Sequence, residues 1–270
     1  MNHRSPSHRA QRLVCLSAES AEILAQIGAW DKIVGVSAYI DQTGRERKPV
    51  ISGFARADAQ RVAALQPDLV FTFSDVQAEI TAELLRAGCQ VLATNPRTLA
   101  DIEESIRLIA RTVGREAEGW RLADVFRRDL EGLVLVPARR VRVYFEEWPD
   151  PMISAIGWVG ELIELCGGID VFAERRGPAS RDRVVTSEEV IAAAPELIVA
   201  SWCGKPADLP AMRARAGWDT IPAVQNGYLF ELDSDGLLQP GPRLLQGGRE
   251  LALLINRCLA NTHPAHSNGG

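Results

Sequence analysis

The chain predicts an α/β protein of two Rossmann-like lobes, each with a central, mostly parallel sheet, joined by one long α-helix. Three observations predict it. Short apolar runs bounded by turn residues alternate with amphipathic segments on both sides of the middle of the chain, the pattern of parallel strands covered by helices on both faces. Between them, REAEGWRLADVFRRDLEGLVLV (115–136) contains no proline and carries Leu122, Val125, Phe126, Leu130 and Leu133 at spacings of three and four, which reads as one amphipathic helix stopped by Pro137. Finally, RVAALQPDLV (61–70) recurs as EVIAAAPELI (189–198) at a constant offset of 128, each a short apolar helix, a proline stop and an apolar strand. The predicted organisation is a disordered tail at 1–11, a lobe at 12–114, the linking helix at 115–136, a second lobe at 137–260 and a disordered tail at 261–270.

Taken in order, Leu13 to Leu16 is the first strand, and Ser17 or Ser20 caps a helix that ends at Gly28. Strands follow at 32–37, 69–73 and 90–93, with helices at 59–65, 78–87 and from Thr98 or Asp101 to Val113. After the linking helix the pattern restarts with a strand at 141–145 and a helix at about 160–166 ended by Gly167 and Gly168. Thr186 and Glu189 have capping-box spacing ahead of a helix closed by Pro195. Strands at 197–201 and 228–232 and a final helix at 244–259 complete the chain.

Composition excludes several classes. At 270 residues and 46% hydrophobic, the chain can bury one large core or two modest ones. A net charge of -5 opposes nucleic acid as a partner, because a phosphate-binding face needs concentrated positive charge. No apolar run reaches the length of a membrane span, so no membrane insertion is expected. No signal-peptide core follows MNHRSPSHRAQR, so the protein as encoded is expected in the cytoplasm, and in the periplasm if a leader is missing from the sequence. The five dispersed cysteines form no CxxC pair and suit a reducing compartment.

All four histidines, His3, His8, His263 and His266, lie in the polar ends. Serine–histidine relays and imidazole metal sites are therefore not expected in the folded body, and no phosphate loop, HExxH or GxSxG motif is present. Asp41, Asp75, Glu146, Glu147 and Glu161 are the carboxylates placed to serve as an acid–base pair, and Cys203 is a cysteine with no base beside it. Neither makes an enzyme the expected function. What the chain offers instead is aromatic residues near the carboxyl ends of strands, where parallel sheets hold ligands. Tyr39, Phe54 and Phe73 come from the first lobe and Trp148, Trp158 and Trp202 from the second. Each alone also reads as packing, but together they form rigid walls for a large flat ligand.

Four stretches resemble one family. They are LSAESAEIL (16–24) through Gly28 to Val34, Gly35 and Val36; Gly53 and Phe54 through LQPDLV (65–70); GELIELCGG (160–168); and Gly217 and Trp218 through IPAVQNG (221–227). In order and spacing they resemble the solute-binding proteins of ABC importers for vitamin B12, ferric siderophores and haem, in the branch whose lobes are joined by one long helix. The resemblance implies a non-catalytic protein, expected to be monomeric, that holds a metal-containing small molecule in the cleft between its lobes. A cobalamin or other corrinoid comes first and a ferric siderophore or haem second, with no catalytic cofactor and no metal held by the protein alone. A cytoplasmic enzyme or carrier on the same scaffold is the remaining alternative. An arginine cluster at Arg175, Arg176, Arg181 and Arg183 would serve a siderophore, and Tyr39, Tyr144 or Tyr228 would serve haem iron. The resemblance also implies docking of an ABC permease through a glutamate seven residues before each helix-ending proline. Glu188 matches that position, whereas its counterpart is Gln60, an amide that cannot form the ion pair.

Overall fold

The structure, a computed structural model, describes residues 9–53 and 57–261. Phe54, all four histidines and most of the two predicted tails lie outside the described residues. The end of the first predicted tail is part of the fold. Ala10 donates its amide to the Thr112 carbonyl at 3.2 Å, and the Gln11 and Arg12 amides donate to the Asp68 carboxylate. The chain divides into two compact units at Arg127/Arg128.

Unit 1 contains β1 (Leu13–Cys15), α1 (Ala18–Gln26), β2 (Ile33–Ser37), β3 (Val50–Ser52), α2 (Ala59–Ala63), β4 (Leu69–Phe73), α3 (Ala78–Arg86), β5 (Val91–Thr94) and α4 (Leu99–Thr112). Its strands lie in the order β3-β2-β1-β4-β5, every pair parallel. Residues alternate across a sheet, so β1 sends Val14 to one face and Leu13 and Cys15 to the other. Val14 packs in a core with Leu16, Val62, Val70, Ile80 and Leu84, residues that α2 and α3 help to supply, while α1 meets α4. Thr98 and Asp101 form a reciprocal cap on α4.

The helix α5 (Glu116–Glu131) begins near the expected place but ends before Pro137. Tertiary pairing replaces helical pairing there: Leu133 and Val134 donate three residues back, and Leu135 donates to the Leu165 carbonyl at 2.8 Å. Gly119 in α5 is a packing requirement, since a Cβ there would overlap the Ala110 methyl of α4.

Unit 2 contains β6 (Val141–Glu146), a β7 (Trp148–Pro149) and β8 (Met152–Ile153) hairpin, α6 (Gly157–Leu165), β9 (Gly168–Asp170), α7 (Ser187–Ala193), β10 (Leu197–Ala200), α8 (Leu209–Arg213), α9 (Pro222–Gln225), β11 (Leu229–Glu231), α10 (Ser234–Leu237) and α11 (Leu244–Asn261). Its main sheet runs β11-β10-β6-β9 and is parallel throughout. The short edge strands β3 and β9 lie where the sequence showed only a loop and a helix end. Three residues beside glycine or proline carry too little pattern to be read, and sheet pairing makes them strands.

The internal repeat is structural. Asp58 caps α2, and Thr186 with Glu189 forms the predicted capping box on α7. Each helix is followed by a non-glycine residue with positive φ, Gln66 at 50° and Ala194 at 45°, then by proline and the strand beside the first strand of the unit.

Candidate functional site

In a parallel sheet the strand carboxyl ends gather the loops that follow them. In unit 1 these ends are tied by Gln77: its side-chain oxygen accepts from the Phe73 amide at 2.8 Å and its nitrogen donates to the Leu16 carbonyl at 3.1 Å. Phe73 closes β4 and is 9% exposed, whereas Tyr39, in the turn after β2, is 57% exposed. Ser74 follows with φ 51°, a conformation that turns the chain sharply out of the sheet. Asp75 beyond it pairs with Arg97 at 2.9 Å.

Unit 2 carries a denser arrangement. Glu146, the last residue of β6, is fully buried. Arg215 grips it with two nitrogens at 2.5 and 2.9 Å, the Trp202 indole N–H donates to it at 3.1 Å, and the Tyr144 hydroxyl donates at 3.0 Å. A buried carboxylate needs this many donors to offset its lost hydration. The Arg215 guanidinium in turn lies 4.5 Å from the Trp218 ring centre. Burial first, and the Glu146 charge second, push the Tyr144 hydroxyl well above its usual range. Tyr144 is thus a protonated core donor, which overturns it as a tyrosinate ligand for haem iron.

Trp202 follows β10 and is 7% exposed, with its indole orientation set by Glu146. Trp148, half-buried on β7, donates its indole N–H to the Asp150 carbonyl at 3.0 Å. Lys205 joins them, its ammonium 4.1 Å from the Trp148 ring centre and 5.1 Å from that of Trp202. Trp158 does not join this group. Because α6 begins at Gly157, Trp158 lies in its first turn, 1% exposed, and its indole donates to the Leu237 carbonyl at 2.8 Å. It is a core residue of unit 2 and presents no ring face to a ligand.

The arginines expected to gather around an anionic siderophore are occupied. Arg175 pairs with Glu189, Arg176 with Asp170 and Glu164, and the buried Arg183 with Glu147. Only Arg181 of the four is largely exposed, beside Asp182. Three of the five candidate acid–base carboxylates are likewise held, Glu146 by Arg215, Glu147 by Arg183 and Asp75 by Arg97. Cys203 is the exposed cysteine; desolvation of its sulfur and the nearby Glu147 and Asp235 carboxylates raise its thiol above the usual range, the wrong direction for a nucleophile. Burial pushes Cys15 and Cys166 up to about 12. Among the described residues no group of three or more His, Cys, Asp or Glu could hold a metal ion, and no helix is long and apolar enough to cross a membrane.

The two positions expected to dock a permease are equivalent in local structure. Gln60 and Glu188 are each the second residue of their helix and exposed. Gln60 borders a shallow groove shared with Asp58, Glu83 and Arg86. Sequence reasoning passed over Gln77, Arg215 and Lys205. Lys205 alone carried a signal, as a cation three residues beyond Trp202 across a glycine.

A family model described as periplasmic binding protein matches residues 13–235. The vitamin B12-binding protein of Vibrio parahaemolyticus serotype O3:K6 is 29% identical over 244 residues, covering 87% of this chain and 86% of its own length. An uncharacterised ABC transporter substrate-binding lipoprotein, YvrC of Bacillus subtilis, is 26% identical over 254 residues, 90% of this chain and 79% of its own. Two solved structures share the fold. The periplasmic vitamin B12 binding protein BtuF of Vibrio cholerae has a TM-score of 0.75 at 23% identity, over 93% of this chain and 98% of that one. The periplasmic heme-binding protein RhuT of Roseiflexus sp. RS-1 has a TM-score of 0.78, also at 23% identity, over 92% and 99%.

Proposed function

The chain belongs to the periplasmic binding protein family, and from that premise we propose that it binds a corrinoid of the cobalamin type and hands it to an ABC importer without chemical change. The observation that carries the ligand is the pair of oriented indoles beyond β6 and β10, Trp148 and Trp202. Both have their polar N–H satisfied by protein, which leaves ring faces rather than hydrogen bonds to offer, as a macrocycle requires. Within unit 1, Tyr39 and Phe73 are the aromatic candidates near strand carboxyl ends. The likeness to vitamin B12-binding relatives over most of both chains supports it.

Titration of ligand-free protein with cyanocobalamin, followed by tryptophan fluorescence and by calorimetry, tests the reading. Saturation at one ligand per chain with a micromolar or tighter constant, about -8 kcal/mol or better, is expected. No saturation at about a hundred-fold higher concentration overturns the corrinoid, and the same titration with haemin then tests the second reading, for which Tyr39 is the exposed tyrosine.

Delivery to a permease is assigned to Glu188 on α7, with Gln60 on α2 as the neutral counterpart. A charge of the wrong sign at an exposed docking residue costs association without touching the ligand site. Glu188→Lys is expected to reduce binding to a cognate permease by at least about tenfold with corrinoid affinity unchanged; equal permease binding by both proteins removes Glu188 from the docking face.

A further inference from the structure

The loop after β10 places a cation where a ligand ring would lie. Lys205 donates its amide to the Trp202 carbonyl at 3.3 Å, closing a four-residue turn whose third residue, Gly204, has φ 70°. A positive φ is what a type II turn demands at that position. A Cβ on Gly204 would meet nothing within 4 Å, so the backbone conformation, not lack of space, calls for glycine. The turn folds the Lys205 stem back toward the indole that begins it. There its ammonium lies over two aromatic faces, 5.1 Å from the Trp202 centre and 4.1 Å from that of Trp148.

The charge at this point is unbalanced. Glu147 and Asp235 are the carboxylates that act on neighbouring Cys203, and they pair with Arg183 and Arg243. Glu146 belongs to Arg215, and Glu231 accepts the Ala207 amide. Lys205 itself makes no ion pair among the described residues. An ammonium carried on an exposed four-carbon stem, beside carboxylates that are already engaged, is free to move toward an incoming anion.

We infer that Trp148, Trp202 and Lys205 form one subsite for a flat ligand that also carries an anionic oxygen: the indoles take the ring and the ammonium takes the anion. The inference rests on the solute-binding reading above and narrows its ligand class. A ring that lands on the indoles displaces the ammonium. An anionic substituent at the edge of that ring gives the displaced cation a new partner, whereas a ligand without one sends it into water. Two sources present the same chemistry, the phosphodiester of a corrinoid with its nucleotide loop and the propionates of a haem.

The test compares the wild type with Lys205→Met and Lys205→Arg at low and high salt, using cyanocobalamin, which has the phosphodiester, and dicyanocobinamide, which has the same ring without it. The expected result is about a tenfold loss of cyanocobalamin affinity in Lys205→Met, the size of one charge-assisted hydrogen bond. Cobinamide affinity should stay within about twofold, Lys205→Arg should restore binding, and the wild-type preference should shrink as salt screens the pair. If haemin is the ligand that binds, haemin against its dimethyl ester gives the same contrast. Unchanged affinity in Lys205→Met, or an equal loss for both members of a pair, overturns the subsite while leaving the solute-binding reading intact. A wild type that binds none of these ligands overturns the subsite together with the corrinoid and haem readings.

Discussion

The two units solve one architectural problem with the same parts and then diverge where strands end. In each, the first strand lies between the strand that follows the proline and a strand on its other side, so β2-β1-β4-β5 corresponds to β9-β6-β10-β11. Leu13 faces Leu69 as Val143 faces Leu197. The left-handed residue before each proline is anchored alike. The Arg12 guanidinium donates to the Gln66 carbonyl at 3.2 Å, and that of Arg142 to the Ala194 carbonyl at 3.0 Å. Asp68 and Glu196 accept the amides that enter the first strand. The divergence begins at its far end, where unit 1 has the buried Leu16 and unit 2 the buried Glu146. One unit closes that position with an apolar side chain. The other builds a polar cluster that orients Trp202, and the candidate subsite grows from it.

Removing the guanidinium should have the largest effect. Arg215→Met leaves a buried carboxylate without its counter-charge, a change expected to cost about 3 to 5 kcal/mol, read by denaturant unfolding. If the units are equivalent at this point, adding Glu146→Leu should recover most of the loss, because Leu16 shows that the position accepts an apolar residue. Binding should not recover with stability, since Trp202 then lacks its acceptor. A double variant as unstable as Arg215→Met alone would show that the equivalence ends at the backbone.

Unit 1 has a buried glutamate of the opposite kind. Glu19, in the first turn of α1, is buried with one carboxylate oxygen unpartnered, and burial raises it to about 7, with the Ser17 hydroxyl offsetting part of the rise. A carboxyl whose folded value lies above its unfolded value binds more protons when folded, so its share of stability is present at low pH and declines as pH rises from about 4.5 through about 7. Glu19→Gln should therefore be more stable than the wild type at pH 8, by on the order of 3 kcal/mol, and close to it at pH 4.5. Parallel melting curves across that range would reject the idea. Glu146, held by Arg215, should give no such gain on replacement by Gln.

The smallest expected effects concern the repeat itself. Gln66→Gly and Ala194→Gly relieve a left-handed conformation that costs a side-chain-bearing residue about 1 kcal/mol, less the entropy that glycine loses on folding. Both should stabilise by a fraction of that, and to a similar extent if the arginine anchors are equivalent. Opposite signs in thermal melts would mean that one carbonyl is held for another reason.

Much of the fold was legible because its signals are local. Thr98, Thr186 and Glu189 announce helix starts by spacing, and the proline of each repeat marks a helix stop and a strand start within ten residues. The end of α5 was not legible, because Leu135 leaves the helix for the Leu165 carbonyl, thirty residues away. Among the candidate residues, position after a strand selected Trp148 and Trp202, which the fold brings together at Lys205, but it also selected Trp158, which a helix beginning at Gly157 turns into the core.

By itself, then, the sequence determined the alternation of strands and helices, the two-fold repetition and the family, since each is carried by neighbours along the chain whose period, caps and stops are read without knowing what they touch. Only the tertiary structure decided that Trp158 enters the core, that Arg215 reaches back to Glu146, and that the Lys205 ammonium lies over two indoles whose residues are 54 positions apart. Burial and charge pairing are sums over whatever the folded chain brings within a few ångströms, and no local window of sequence contains those terms.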